Sequence, residues 1–155
     1  MSNSEMKQRL HDDMTAALKA RDEIRKSTLR MALTAVTKAE VAGKEARQLS
    51  DPEIIDVLTS EAKKRRESVT AYREAGREAL ADKEQAEADI LAEYLPEQLS
   101  AEEIAALVTE AIAATSAAEL GPRGIGKVMG ALQPKVKGKA DGGTVSAEVK
   151  RQLGA

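Results

Sequence analysis

The sequence contains no cysteine, no phenylalanine and no tryptophan, and a single histidine, His11. Without cysteine there are no disulfides, thiolate metal ligands or cysteine nucleophiles. This absence fits a reducing compartment, so the expected location is cytoplasmic. With one histidine and no HExxH pattern, no metal site is expected. Any Ser-His-Asp triad would have to use His11, which sits among polar residues of an amphipathic segment and is read as exposed. No apolar stretch approaches ~18 residues and no leader-like run opens the chain, so neither membrane spanning nor export is expected.

Aromatics reduce to Tyr72 and Tyr94. The 42% hydrophobic content is largely alanine with Leu, Ile, Val and Met. Such residues pack well between closely approaching helices, whereas strands favour aromatic and β-branched side chains. Charged residues make up 32%, as expected for thin helical bundles with long solvated faces. The fold class is therefore all-α, and 155 residues suit one large domain or two small ones.

The formal net charge of −2 is unevenly distributed. Residues 1–97 carry 17 basic and 20 acidic side chains, and residues 98–120 carry four acidic and no basic ones. Residues 121–155 carry seven basic against two acidic, which points to an anionic partner for the C-terminal end or to an uneven solvated surface.

Periodicity predicts seven helices. The first covers about 4–19, with Met6, Leu10, Met14 and Leu18 every fourth residue. The second covers about 22–41, with Leu29, Ala32, Leu33 and Val36 on one face. The third opens at Ser50-Asp51-Pro52-Glu53, a capping box with an early proline, and is expected to reach about Ala75, with Gly76 allowing a bend or a stop. A fourth is expected from about Leu80, beginning near Asp82, to Tyr94. Pro96 then disfavours helix in the residue before it, and Ser100-Ala101-Glu102-Glu103 forms a second capping box. The segment Leu95–Leu99 is the expected boundary between an N-terminal domain, 1–97, and a C-terminal domain, 98–155. Three short helices are expected in the latter, at 101–115, 123–133 and 144–153.

Acidic residues are numerous but lie beside Lys and Arg along solvated faces, and no catalytic pair stands out. Basic residues are more informative. At ~100° per residue, Lys63, Arg66, Arg73 and Arg77 fall within one sector of the third helix, provided that it stays helical to Arg77. The bland alternative is a solvated face laced by pairs such as Glu61 and Arg65. Arg65 itself falls inside the apolar arc, so it either snorkels out or meets a carboxylate, and Glu40 is the expected partner.

The stretch Gly121–Gly130 resembles a phosphate loop only loosely. The Walker pattern needs a preceding strand and Ser or Thr after the lysine, and here Val128 follows Lys127. Gly126 and Gly130, one helical turn apart, are expected to serve close helix packing. A helix N-terminus near Arg123 offers one anion site. The segment Pro134–Gly143 is read as a flexible loop with Lys135, Lys137 and Lys139 spaced two apart. With Arg123, Lys127, Lys150 and Arg151 it supplies a basic patch. Without aromatic stacking platforms, sequence-specific reading of single strands is not expected.

These same residues carry a family resemblance. Leu29-Arg30-Met31, Lys63–Ser68, Tyr72 with Ala75-Gly76-Arg77, Leu80-Ala81 with Glu84, Tyr94-Leu95-Pro96 with Gln98-Leu99, Gly126–Met129 and Pro134–Gly142 together resemble the YqeY-type proteins of the GatB/YqeY family, over essentially the whole chain. Lys139 stands where arginine is expected, a change that keeps the charge. The resemblance implies an N-terminal helical domain followed by a C-terminal three-helix bundle similar to the tail domain of the GatB subunit of the tRNA-dependent amidotransferase. That tail helps hold tRNA, while the chemistry lies elsewhere in the enzyme.

Three functions follow as expectations. The first is a module without its own catalytic site that binds tRNA or another structured RNA through Arg123, Lys127, Lys135, Lys137 and Lys139, with Arg66, Arg73 and Arg77 as a second surface. The second is a protein–protein adaptor for an amidotransferase or an aminoacyl-tRNA synthetase, which predicts an exposed apolar groove. The third is an amidotransferase-like carbon–nitrogen ligase with glutamine as donor, for which no nucleophile, metal set or nucleotide cradle is visible. No cofactor is expected.

Overall fold

A computed structural model describes residues 4–154. All regular structure among them is helical: α1 (Glu5–Ala20), α2 (Glu23–Glu40), α3 (Asp51–Glu74), α4 (Glu78–Ala92), α5 (Ala101–Thr115), a 3-10 segment (Ala117–Gly124), α6 (Ile125–Val136) and α7 (Gly142–Leu153). No single helix among the described residues is long and apolar enough to cross a membrane. The chain divides between Leu95 and Pro96 into two compact units.

Local chemistry explains most helix ends of the N-terminal unit. Ser4 caps α1 by accepting from Lys7 N, and Asp22 caps α2 by accepting from Arg25 N. At α3 the Ser50 hydroxyl accepts from Glu53 N while the Glu53 carboxylate accepts from Ser50 N. Each interaction satisfies a backbone donor that the first helical turn leaves without an intrahelical partner. The α3 helix stops at Glu74. Gly76 adopts φ +73°, and Arg77 N donates to Tyr72 O at 2.8 Å. A left-handed residue there closes the helix with a backbone bond that only glycine accepts without strain. The α4 helix starts at Glu78, one turn earlier than the sequence suggests, directly beyond this turn.

The core of this unit gathers Leu10 from α1, Leu29, Ala32, Leu33 and Val36 from α2, Ile54, Leu58 and Ala62 from α3, and Ile90, Leu91 and Tyr94 at the end of α4. The buried row of α3 runs through Ile54, Leu58, Ala62 and Val69, with Ile55 only partly covered. Tyr94 is buried, and its hydroxyl donates to Asp13 while the Arg9 guanidinium sits 4.4 Å from the ring centroid. Cation and carboxylate thus anchor the end of α4 on α1.

Arg65 does lie in the buried row of α3, but it does not meet Glu40. Its guanidinium reaches Glu87 at 3.3 Å and Glu84 at 3.7 Å, both on α4. Glu40 is occupied elsewhere: it accepts from Lys7 Nζ at 2.9 Å and from Leu49 N at 3.3 Å. The α4 helix packs along α3 and presents its own acids to Arg65. Glu40, at the C-terminal end of α2, instead ties α1 to the chain entering α3. Nor does Glu61 pair with Arg65; it holds Lys64 at 3.1 Å.

Candidate nucleic-acid interface

The C-terminal unit is built on α5, α6 and α7. Ser100 and Glu103 reproduce the reciprocal cap at the start of α5, and Asp141 caps α7 by accepting from Thr144 N. Ile104, Val108 and Ala111 of α5 meet Val128, Leu132 and Val136 of α6 and Val145 and Val149 of α7 in one core. Both α6 and α7 therefore turn one apolar row inward and carry their lysines outward.

The glycines of this unit have separate roles. A Cβ on Gly124 would come within 2.9 Å of the Cβ and carbonyl oxygen of Ala117, so only glycine allows the 3-10 segment to enter α6 there. Gly126 and Gly130 do not serve internal packing, contrary to the sequence expectation. A Cβ built at either meets nothing within 4 Å. They lie on the outer side of α6, opposite Val128 and Leu132, where the missing side chains leave backbone open to solvent.

The lysine-rich segment is not the flexible loop expected. Pro134 lies in the last turn of α6, and Lys135 follows it in the helix. Proline cannot donate to the carbonyl of Gly130, but that carbonyl is on the exposed side, where water can replace the bond. Beyond α6 the chain is pinned. Lys139 N and Ala140 N donate to Val136 O at 2.8 and 3.0 Å, Leu99 N donates to Lys139 O at 2.9 Å, and Gln98 Nε2 donates to Gly138 O at 2.8 Å. Gln98 and Leu99 thus hold the lysine turn in place. Sequence reasoning missed this role because these residues stand some forty positions away from the turn.

Arg123, Lys127, Lys135, Lys137, Lys139 and Lys150 are all exposed, and none has an ion pair among the described residues. The acids Glu102, Glu103, Glu110 and Glu119 of the same unit form no ion pair with them. Arg151 is the exception. It makes a two-pronged contact with Glu148, at 2.7 and 2.6 Å, which holds that carboxyl down to about 2, with Gln152 donating a third hydrogen bond.

In the N-terminal unit the expected basic stripe comes apart. Because α3 ends at Glu74, Arg77 leaves that helix and stands before the first turn of α4. Arg73 lies 3.6 Å from Glu78 and 3.7 Å from Asp82, and Lys63 lies 3.8 Å from Glu67. Arg66 is exposed and has no ion pair among the described residues. His11 is exposed on α1. The sequence reading also passed over Arg30 and Lys38. Both lie exposed on α2 without an ion pair among the described residues, and their signal is the polar row Arg30-Thr34-Lys38 at every fourth position.

Known proteins resemble the chain along nearly all of it. The family described as Yqey-like protein matches residues 7–153. A relative from Pyrenophora tritici-repentis, "Altered inheritance of mitochondria protein 41, mitochondrial", is 29% identical over 150 residues, covering 95% of this chain and 80% of that protein. With the family pattern spanning both units, the chain belongs to the YqeY-like family.

Proposed function

We propose that this chain is a binding module for tRNA or another structured RNA, with Arg123, Lys127, Lys135, Lys137 and Lys139 contacting phosphates and no catalytic step of its own. The observation that carries this reading is that these five cations are exposed and without ion pairs among the described residues. Free lysines near a rigid turn lose little on meeting phosphate, whereas a paired lysine must first give up its carboxylate. Pinning by Gln98 and Leu99 supports the same reading, because a held turn presents its cations without a further ordering cost. The open backbone at Gly126 and Gly130 would let a sugar–phosphate strand lie close to α6 beside Lys127. Arg66 and Arg77 form at most a weaker second contact, and at Arg73 a phosphate would have to compete with Glu78 and Asp82.

A filter-binding titration with bulk tRNA tests the proposal. Binding is expected at ~50 mM salt and is expected to fall steeply with added salt, with a log–log slope of about −3 to −5 for the three to five contacts involved. Lys127→Ala with Lys135→Ala should flatten that slope by about two. No retention of tRNA at ~50 mM salt, where phosphate contacts are strongest, overturns the proposal.

A further inference from the structure

Two grooves run along opposite sides of α2, and Arg30, Thr34 and Lys38 form the ridge between them. The three recur every fourth position, so they form one row about 12 Å long. The larger groove, about 650 Å³, separates α2 from α3. Met31 and Ala35 line it from α2, and Asp56 and Val57 line it from α3. Met31 is 39% exposed, a large apolar side chain left uncovered at the groove wall. Arg30, Lys38 and Asp56 have no ion pair among the described residues, whereas Lys64 and Glu61 on α3 already satisfy each other.

We propose that this groove docks an amphipathic α-helix of a protein partner, with its apolar row on Met31, Ala35 and Val57 and an acidic edge along Arg30 and Lys38. Charge complementarity identifies the occupant. The α2 wall offers two free cations about 12 Å apart, the spacing of acids at i and i+8 on a helix lying alongside. The α3 wall offers the free carboxylate of Asp56, which fits a lysine or arginine on the partner's other edge and so fixes which way round the helix lies. Between the walls, the small side chain of Ala35 leaves space for a leucine-sized knob. Nucleic acid suits the groove less well. Asp56 would repel phosphates, and no aromatic side chain lines the floor to stack a base. This site lies in the N-terminal unit and does not depend on the role proposed for the lysines of the C-terminal unit.

The test uses the full chain and a designed fluorescein-labelled helical peptide with leucine at i, i+3 and i+7, glutamate along one edge and lysine along the other. Fluorescence anisotropy should rise to saturation at micromolar protein. Ala35→Trp fills the groove, and Arg30→Glu with Lys38→Glu reverses its basic wall; each should weaken the peptide about tenfold or more, with circular dichroism unchanged. The double reversal should also restore binding to a peptide whose glutamates are replaced by lysine, a gain that misfolding cannot produce. The proposal is overturned by no binding at about 1 mM protein, or by binding indifferent to both variants. Displacement of the peptide by bulk tRNA would assign the groove to nucleic acid and overturn it. So would a concentration-dependent dimer abolished by the double reversal, which would assign the groove to a second copy.

Discussion

The Nε atom of Arg65 lies 3.3 Å from Oε2 of Glu87 without forming a hydrogen bond to it, and Glu84 approaches the same guanidinium at 3.7 Å. Two carboxylates thus share one cation where little water reaches, since the Glu87 side chain is only 6% exposed. Burial pushes the Glu87 carboxyl above the usual range, and the charge of Glu84 pushes it the same way, against the pull of Arg65 and Lys83.

The sign of the pH effect follows from that shift. The folded state holds the Glu87 proton more tightly than the unfolded chain does. The stability this provides is fully present below the unfolded value of about 4.3 and is lost as pH rises through the folded value. Glu87→Gln should therefore be more stable than the parent at pH 8, with the advantage gone near pH 4. Arg65→Met should cost about 3 kcal/mol at pH 8, because it leaves two carboxylates uncompensated, and clearly less at pH 4. Urea unfolding of the three proteins at both pH values checks this, and an Arg65→Met cost independent of pH would contradict it.

Glu40 behaves in the opposite way. The Lys7 ammonium holds its carboxyl below the usual range, with a further contribution from Leu49 N–H and with burial opposing both. Its contribution is present above the unfolded value and is lost as pH falls through the depressed folded one. Glu40→Ala should cost about 2 kcal/mol at pH 7, since Lys7 and the Leu49 amide lose their partner together, and should cost less in acid. Thermal melts at pH 7 and pH 3 give the comparison.

Ser100→Ala removes half of the reciprocal cap on α5 and should cost about 1 kcal/mol. Amide hydrogen exchange is the sharper measurement. Glu103 N, which the Ser100 hydroxyl accepts from at 3.1 Å, should lose protection, while the equivalent amide of Glu53 keeps its own.

The glycines of α6 should separate stability from binding. Gly124→Ala must displace the backbone of Ala117 and should destabilise by about 1–3 kcal/mol. Gly126→Ala and Gly130→Ala enter open space on a helix and should each stabilise by up to about 1 kcal/mol. If a phosphate strand lies against that face, the same two substitutions should weaken tRNA retention despite the added stability. Melting temperatures and filter binding on the three variants distinguish these outcomes.

Much of this fold was legible without coordinates because its signals are local. Ser50 with Glu53, and Ser100 with Glu103, announce helix starts within four residues, and the structure contains both caps. The row Leu29, Ala32, Leu33 and Val36 is buried as its spacing requires. Where the reading failed, the deciding contact was remote. The basic stripe extrapolated past Gly76 into a turn. The lysine segment looked flexible because its anchors, Gln98 and Leu99, belong to the other end of the C-terminal unit.

The sequence by itself determined the helical class, the positions of the two capping boxes, the inward rows and the number of basic residues near the C-terminus, because each depends on residue type and on spacing within a few turns. Only the tertiary structure decided which charges meet. A helical wheel gives the direction of Arg65 and of Glu40 but not the neighbour found there. Packing of α4 along α3 gives Arg65 to Glu84 and Glu87, and Lys7 of α1 takes Glu40. It also decided that Gly126 and Gly130 face outward, and that Arg30 and Lys38 border an apolar groove. Such facts belong to pairs of helices brought together by burial, and no single segment carries them.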